Sequence, residues 1–161
     1  MKNNPARSAR WQAVKRLLDI AIVLAFTWTQ NACVHESARQ ISPSSSSAKI
    51  AAMRNFYVRQ HARDDHNLAA DISGELQKSG LRASVGTAKS APRPVDAVVT
   101  YEDRWMWDMT MYMWSLDVQL REPGSDVVLA TSKTVRSSLV RRSQKEMVQE
   151  TVAKIFGKDT P

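Results

Sequence analysis

Four methionines and three tryptophans fall within ten consecutive residues of this 161-residue chain, in the run Trp105-Met106-Trp107-Asp108-Met109-Thr110-Met111-Tyr112-Met113-Trp114. Two chemistries suit such a composition. Thioether sulfurs are soft donors for cuprous copper, with His61 or His66 as helpers. Indole rings offer flat apolar plates for a sugar ring, and Glu102, Asp103 and Asp108 supply the carboxylates that glycoside cleavage needs. Neither reading finds its complement. Methionines two apart along a strand serve packing more readily than metal binding. Glu102 and Asp103 end a strand pattern, where solvated acids are common, and no nucleophile motif surrounds the histidines or serines. Asp64-Asp65-His66 reads as a capped loop. The residues therefore describe a protein that is not an enzyme, with no metal and no cofactor.

The same run has a second use. Counting alternation back from Leu120 and Leu116 turns Trp114 and Tyr112 inward and sets Met109, Met111 and Met113 outward. With Trp105 and Trp107 they compose an apolar patch on the helix-free face of a sheet, a binding surface for a partner or ligand. Two devices would bury the row instead: a hairpin that curls over it, or a bulge that resets the register. Arg136, Arg141 and Arg142, around Leu139 and Val140, form a small basic patch suited to solvent, anionic head groups or an acidic partner.

Cys33 is the only cysteine. Before it stand a basic stretch with Lys2, Arg7, Arg10, Lys15 and Arg16, then an apolar core over residues 20–28, then Gln30-Asn31-Ala32. A charged start, a short apolar core and a small residue before the cut are the parts of an export signal. The apolar core is far below the roughly 20 residues of a spanning helix. A lone Cys directly after the cut resembles the lipid-acceptor Cys of bacterial lipoproteins. Ala32 fits their cleavage box, whereas Gln30 and Asn31 depart from it. The resemblance implies a signal peptide over residues 1–32, lipidation of Cys33 and a membrane partner reached through that lipid. Val34 stands where an Asp would favour retention in the inner membrane, so the implied destination is the outer membrane, facing the periplasm.

The formal charge is +7, of which residues 1–32 carry +4, leaving +3 on the remainder. That is too little to argue for nucleic acid. A lipidated Cys33 would leave no thiol for a disulfide, so the exported domain must rest on its core alone.

Residues 33–49 are Ser-rich and poor in large apolar side chains. They read as a lipid-bearing flexible tether, long enough at about 3.3 Å per residue to hold a domain several nanometres from a bilayer. A single domain follows over residues 50–157, with a tail at 158–161. Alternation predicts strands over 54–61, 81–87, 95–101, the stretch up to Arg121, and 127–135. Leu68, Ile72 and Leu76 put a helix over 67–79, and Ser143-x-x-Glu146 is a capping box opening another, closed by Gly157. The order β-α-β-β-β-β-α predicts an α+β fold, a mostly antiparallel sheet of four to five strands with two helices on one face.

Val95-Asp96-Ala97-Val98-Val99-Thr100-Tyr101, then Trp105-x-Trp107-Asp108 and Glu146-Met147-Val148, resemble elements of small proteobacterial envelope lipoproteins that carry no known activity. The likeness spans residues 56–156. It implies a secreted α+β domain tethered to a membrane and assigns no catalytic or binding residue. More loosely, the element order is similar to that of accessory lipoprotein domains beside transport or secretion machinery. The resulting expectation is a non-enzymatic accessory or interaction module of the envelope, with a protein partner or self-association. The alternative is a binding protein for a glycan, lipid or peptide that uses the Trp/Met-rich strand.

Overall fold

The computed structural model describes residues 35–43, 45–89, 91–92 and 94–157. The signal peptide over 1–32, Cys33 and the tail at 158–161 lie outside the described residues.

The order is β1 (His35–Ile41), α1 (Ser47–Ala52), β2 (Asn55–Arg59), α2 (Leu68–Lys78), β3 (Arg82–Gly86), β4 (Ala97–Asp108), β5 (Thr110–Arg121), β6 (Val128–Arg136), a single 3-10 turn (Ser138–Val140) and α3 (Gln144–Ile155). The fold is α+β, as the strand and helix patterns predict, but among the described residues the sheet has six strands in the order β1-β6-β5-β4-β2-β3. The β1, β6, β5 and β4 neighbours pair antiparallel, whereas β2 lies parallel to both β4 and β3.

The extra strand corrects the tether. His35–Ile41 pairs with β6 along its whole length, from His35 opposite Arg136 to Ile41 opposite Ala130. A polar sequence suffices there because an edge strand is held by main-chain hydrogen bonds, while Ile41 packs against the core. The Ser-rich stretch continues into α1, whose start is capped by Ser46 accepting from the Lys49 amide and whose Ile50 is fully buried.

The core lies between one sheet face and the helices. Phe56 and Val58 of β2, Val99 and Tyr101 of β4, and Leu116, Val118 and Leu120 of β5 meet Leu68, Ile72 and Leu76 of α2 and Met147, Val148, Val152 and Ile155 of α3. α2 is started by Asp64, whose two carboxylate oxygens accept from the Leu68 and Ala69 amides at 2.7 and 3.1 Å. α3 carries the predicted capping box, with Ser143 and Glu146 each accepting from the other's amide. The helix-free face is a polar ladder: Glu102, Asp117, Lys133 and Ala38 follow one another across β4, β5, β6 and β1, beside Thr100, Gln119, Thr131 and Gln40. No apolar patch occupies these rows of the face.

Candidate functional site

The apolar run lies beyond the end of the sheet. Arg104 faces Ser115, Ser115 faces Val135, and His35 faces Arg136, so these residues mark one end of the sheet's body. β4 and β5 continue past that row as a two-stranded hairpin with Met109 at its turn. Met109 has φ +58°, a left-handed backbone that costs a residue with a side chain about 1 kcal/mol.

At the root of the hairpin the register shifts. The partner of Arg104 is Ser115, but the partner of Trp105 is Met113, which leaves Trp114 as the extra residue of a bulge. This resets every side chain nearer the turn. Met113 joins the core and is 2% exposed, so its assignment to an outward row is overturned. Trp105 turns to the same side, half-buried against the core, with its ring stacked on His66 at 3.9 Å and its Nε1 donating to Asp103 Oδ2 at 2.6 Å. It is therefore part of the hairpin's root and not of an open patch on the helix-free face.

Past that root the apolar side chains are largely uncovered among the described residues. Trp107 is 70% exposed and faces Met111, 54% exposed, across the strands; Met109 at the turn is 87% exposed and Met106, opposite Tyr112, is 48% exposed. Of the five residues singled out for binding, Trp107, Met109 and Met111 are thus in solvent, and Trp105 and Met113 are withdrawn from it. The thioethers diverge: Met111 shares a side with buried Met113, Met106 takes the other, and Met109 caps the turn. That splits the donor set a cuprous ion would need.

Arg141, in the loop before α3, holds the hairpin. It donates to the Asp108 carbonyl and to Thr110 Oγ1, each at 2.6 Å, and to Asp108 Oδ2 at 3.1 Å. Its guanidinium lies 4.5 Å from the Tyr112 ring centroid. Leu139 and Val140, in the same loop, are 80% and 37% exposed, adding two apolar side chains beside the clamp. The sequence pattern shows this loop only as basic and solvated; the adjacency of Leu139-Val140 to Arg141 is the signal it offers. Arg136 belongs elsewhere: it is buried and paired with Glu150 of α3.

Several ionisable groups away from the hairpin are engaged within the structure. Arg59 bonds the Lys89 carbonyl and Asp126, and Arg121 bonds Thr100, Gln119 and the Asp126 carbonyl, so the shallow clefts they line are bridged by their own walls. Burial pushes the Tyr101 hydroxyl up to about 12, and its oxygen accepts from the His61 amide at 3.2 Å. Burial also raises the Asp117 carboxyl, whereas the amides of Arg54 and Asn55, donating to Asp96 at 2.8 and 2.9 Å, lower that of Asp96. Among the described residues no cluster of three or more His, Cys, Asp or Glu is placed to hold a metal, and no helix is long and apolar enough to cross a membrane.

No family model matches this chain, and no curated protein is similar to it. Among solved structures it is similar to a point variant of the PelC dodecamer from Paraburkholderia phytofirmans, with a TM-score of 0.49 and 11% identity over 74% of this chain and 95% of that one. The PelC dodecamer of the same organism aligns with a TM-score of 0.47 and 10% identity, over 79% of this chain and 100% of that one. A minor lipoprotein from Acinetobacter baumannii aligns over 65% of this chain and 88% of its own, with a TM-score of 0.33 and 12% identity. Likenesses of this size transfer no function.

Proposed function

We propose that this protein is a periplasm-facing envelope lipoprotein, anchored in the outer membrane through an acylated Cys33 and acting as a non-enzymatic accessory or interaction module. The observation that carries the reading is the projecting hairpin: Met106, Trp107, Met109 and Met111 stand in solvent on an element to which Arg141 bonds at Asp108 and Thr110. Burying apolar surface there is worth roughly 25 cal/mol per Å², so an element that keeps it exposed in the isolated chain is built for contact. The carboxylates near it support an interaction role rather than chemistry. Asp108 is matched by Arg141, and Asp103 is engaged by the Trp105 indole.

Membrane fractionation tests this reading. Wild-type protein is expected in the outer-membrane fraction and to resist a high-salt wash. Cys33→Ser is expected in the soluble or unprocessed fraction. Equal membrane retention of the two proteins would remove the lipid anchor from the account.

A further inference from the structure

We propose that a cleft at the end of β4 and β5 opposite the hairpin binds a small organic anion, a phosphate or carboxylate group on a short apolar body. Asp126 fills the place of that oxyanion until the ligand displaces it. The inference is independent of the hairpin and of Cys33.

Alternation builds the cleft on the helix-free face. Val58, Val99 and Leu120 pack in the core, which turns their neighbours Arg59, Val98, Thr100 and Arg121 to the other side. Tyr57 lies opposite Val98, and Val98 opposite Arg121. Two segments wall the cleft. The stretch after β3 is held by Tyr57, whose hydroxyl accepts from the Ala88 amide at 3.0 Å. The Tyr57 ring crosses Gly86, where a Cβ would strike that hydroxyl at 2.6 Å. The turn between β5 and β6 is held by Arg121, which donates to the Asp126 carbonyl at 3.0 Å and, along the sheet, to Thr100 and Gln119. The hollow between the walls measures about 280 Å³, lined by Arg59, Lys89 and Asp126 with apolar Val98, Ala91 and Pro123. A second hollow of about 240 Å³ shares Arg59 and Asp126 and adds Glu102.

Arg59 lacks a well-fitted partner in this cleft. Its Nε is buried and meets no acceptor among the described residues. Its terminal nitrogens share one oxygen, Asp126 Oδ1, at 3.4 and 3.3 Å, and one of them also donates to the Lys89 carbonyl at 2.8 Å. Guanidinium–carboxylate bonds ordinarily close to about 2.7–2.9 Å, often in pairs to both oxygens of the acid. Asp126 thus neutralises Arg59 without fitting its fork. The Asp126 side chain is 65% exposed against 25% for Arg59, so the carboxylate can swing into water while the guanidinium stays. A ligand oxyanion, free of the turn's backbone, offers the fork two acceptors at once. With Asp126 displaced, the charged residues described around the first hollow are Arg59 and Lys89, both cationic; Glu102 disfavours an anion in the second. The Val98, Ala91 and Pro123 lining suits an organic body better than a bare inorganic ion.

The test is an NMR titration of the full chain in a neutral detergent, following the Arg59 Nε–H signal and the Val98 amide. The probes are glycerol 3-phosphate and glutarate, with inorganic phosphate and sodium chloride at matched ionic strength as references. At least one organic probe is expected to shift both signals saturably, and the tighter of the two identifies the oxyanion. Asp126→Asn keeps a residue type that tolerates the left-handed backbone of this position. It is expected to tighten binding roughly threefold, the worth of the exposed ion pair it removes. Arg59→Gln is expected to abolish binding. Lys89→Gln, a change at an exposed side chain, is expected to weaken it with the rest of the spectrum unchanged, which keeps the test sound should Arg59→Gln not fold. Shifts no larger than those from sodium chloride, or an affinity that Asp126→Asn leaves unchanged, would overturn the site. Inorganic phosphate binding as tightly as both organic probes would also overturn it, leaving an adventitious anion contact only.

Discussion

Trp105 and Met113 face each other across β4 and β5, one residue out of the step that Arg104 and Ser115 set. That displacement decides which methionines belong to the core. It places Met113 against the buried side chains and leaves Met109 and Met111 beyond them. Met113→Ala is expected to cost about 2–5 kcal/mol, as truncation of a buried Met does. Met111→Ser and Met109→Ser are expected to stay within about 1 kcal/mol of wild type. Urea unfolding of the three variants separates the classes. A tolerated Met113→Ala would return that residue to the surface.

Met109→Gly separates the backbone of the turn from its side chain. Glycine adopts the left-handed φ of this position without the steric cost, so the variant is expected to be as stable as wild type or slightly more so. It nonetheless removes the most exposed large apolar side chain of the turn. Thermal unfolding checks the backbone argument: an unchanged or raised Tm is expected, and a clearly lowered Tm would show that the Met109 side chain supports the fold.

Arg141→Ala is expected to loosen the hairpin while the sheet's body holds. It removes the bonds to Asp108 and Thr110 and the contact with Tyr112, all partly exposed, so the global cost is about 1 kcal/mol. Amide hydrogen exchange should accelerate over residues 106–112 and remain slow in β6 and α3. Uniform acceleration throughout would show that Arg141 supports the fold rather than the hairpin.

Two carboxylates give pH dependences of opposite sign. The Arg54 and Asn55 amides favour charged Asp96, so its contribution is full above the ordinary carboxylate range and is lost as pH falls through its lowered folded-state value. Asp96→Asn should therefore destabilise at neutral pH, with the deficit closing in acid. Burial disfavours charged Asp117, so its contribution is full below the ordinary range and is lost as pH rises through its raised folded-state value. Asp117→Asn should stabilise at neutral pH, and that gain should vanish in acid. Denaturation midpoints across the acid range check both signs.

The regular elements were legible because each has a periodic cause. Leu68, Ile72 and Leu76 mark α2, Ser143 and Glu146 mark the start of α3, and Leu116, Val118 and Leu120 alternate toward the core. β1 was hidden because an edge strand needs its backbone and little else, and its polar composition is that of a linker. The bulge was hidden for a different reason. No Gly or Pro marks Trp114, and strict alternation fits the run with either set of residues inward. Exposure of Trp107, Met109 and Met111 does not follow from the strand pattern either, because past the bulge Trp107 and Met111 share the side of buried Met113. It follows from their position past the end of the sheet, which depends on where β6 and β1 stop.

Lipid attachment at Cys33 is the claim on which the functional account turns, and intact mass spectrometry of the mature protein tests it most directly. The account predicts a chain that begins at Cys33 and carries the added mass of an acylated glyceryl group, absent from Cys33→Ser. A mature chain of unmodified mass, whether it begins at Met1 or at any residue other than Cys33, would contradict it.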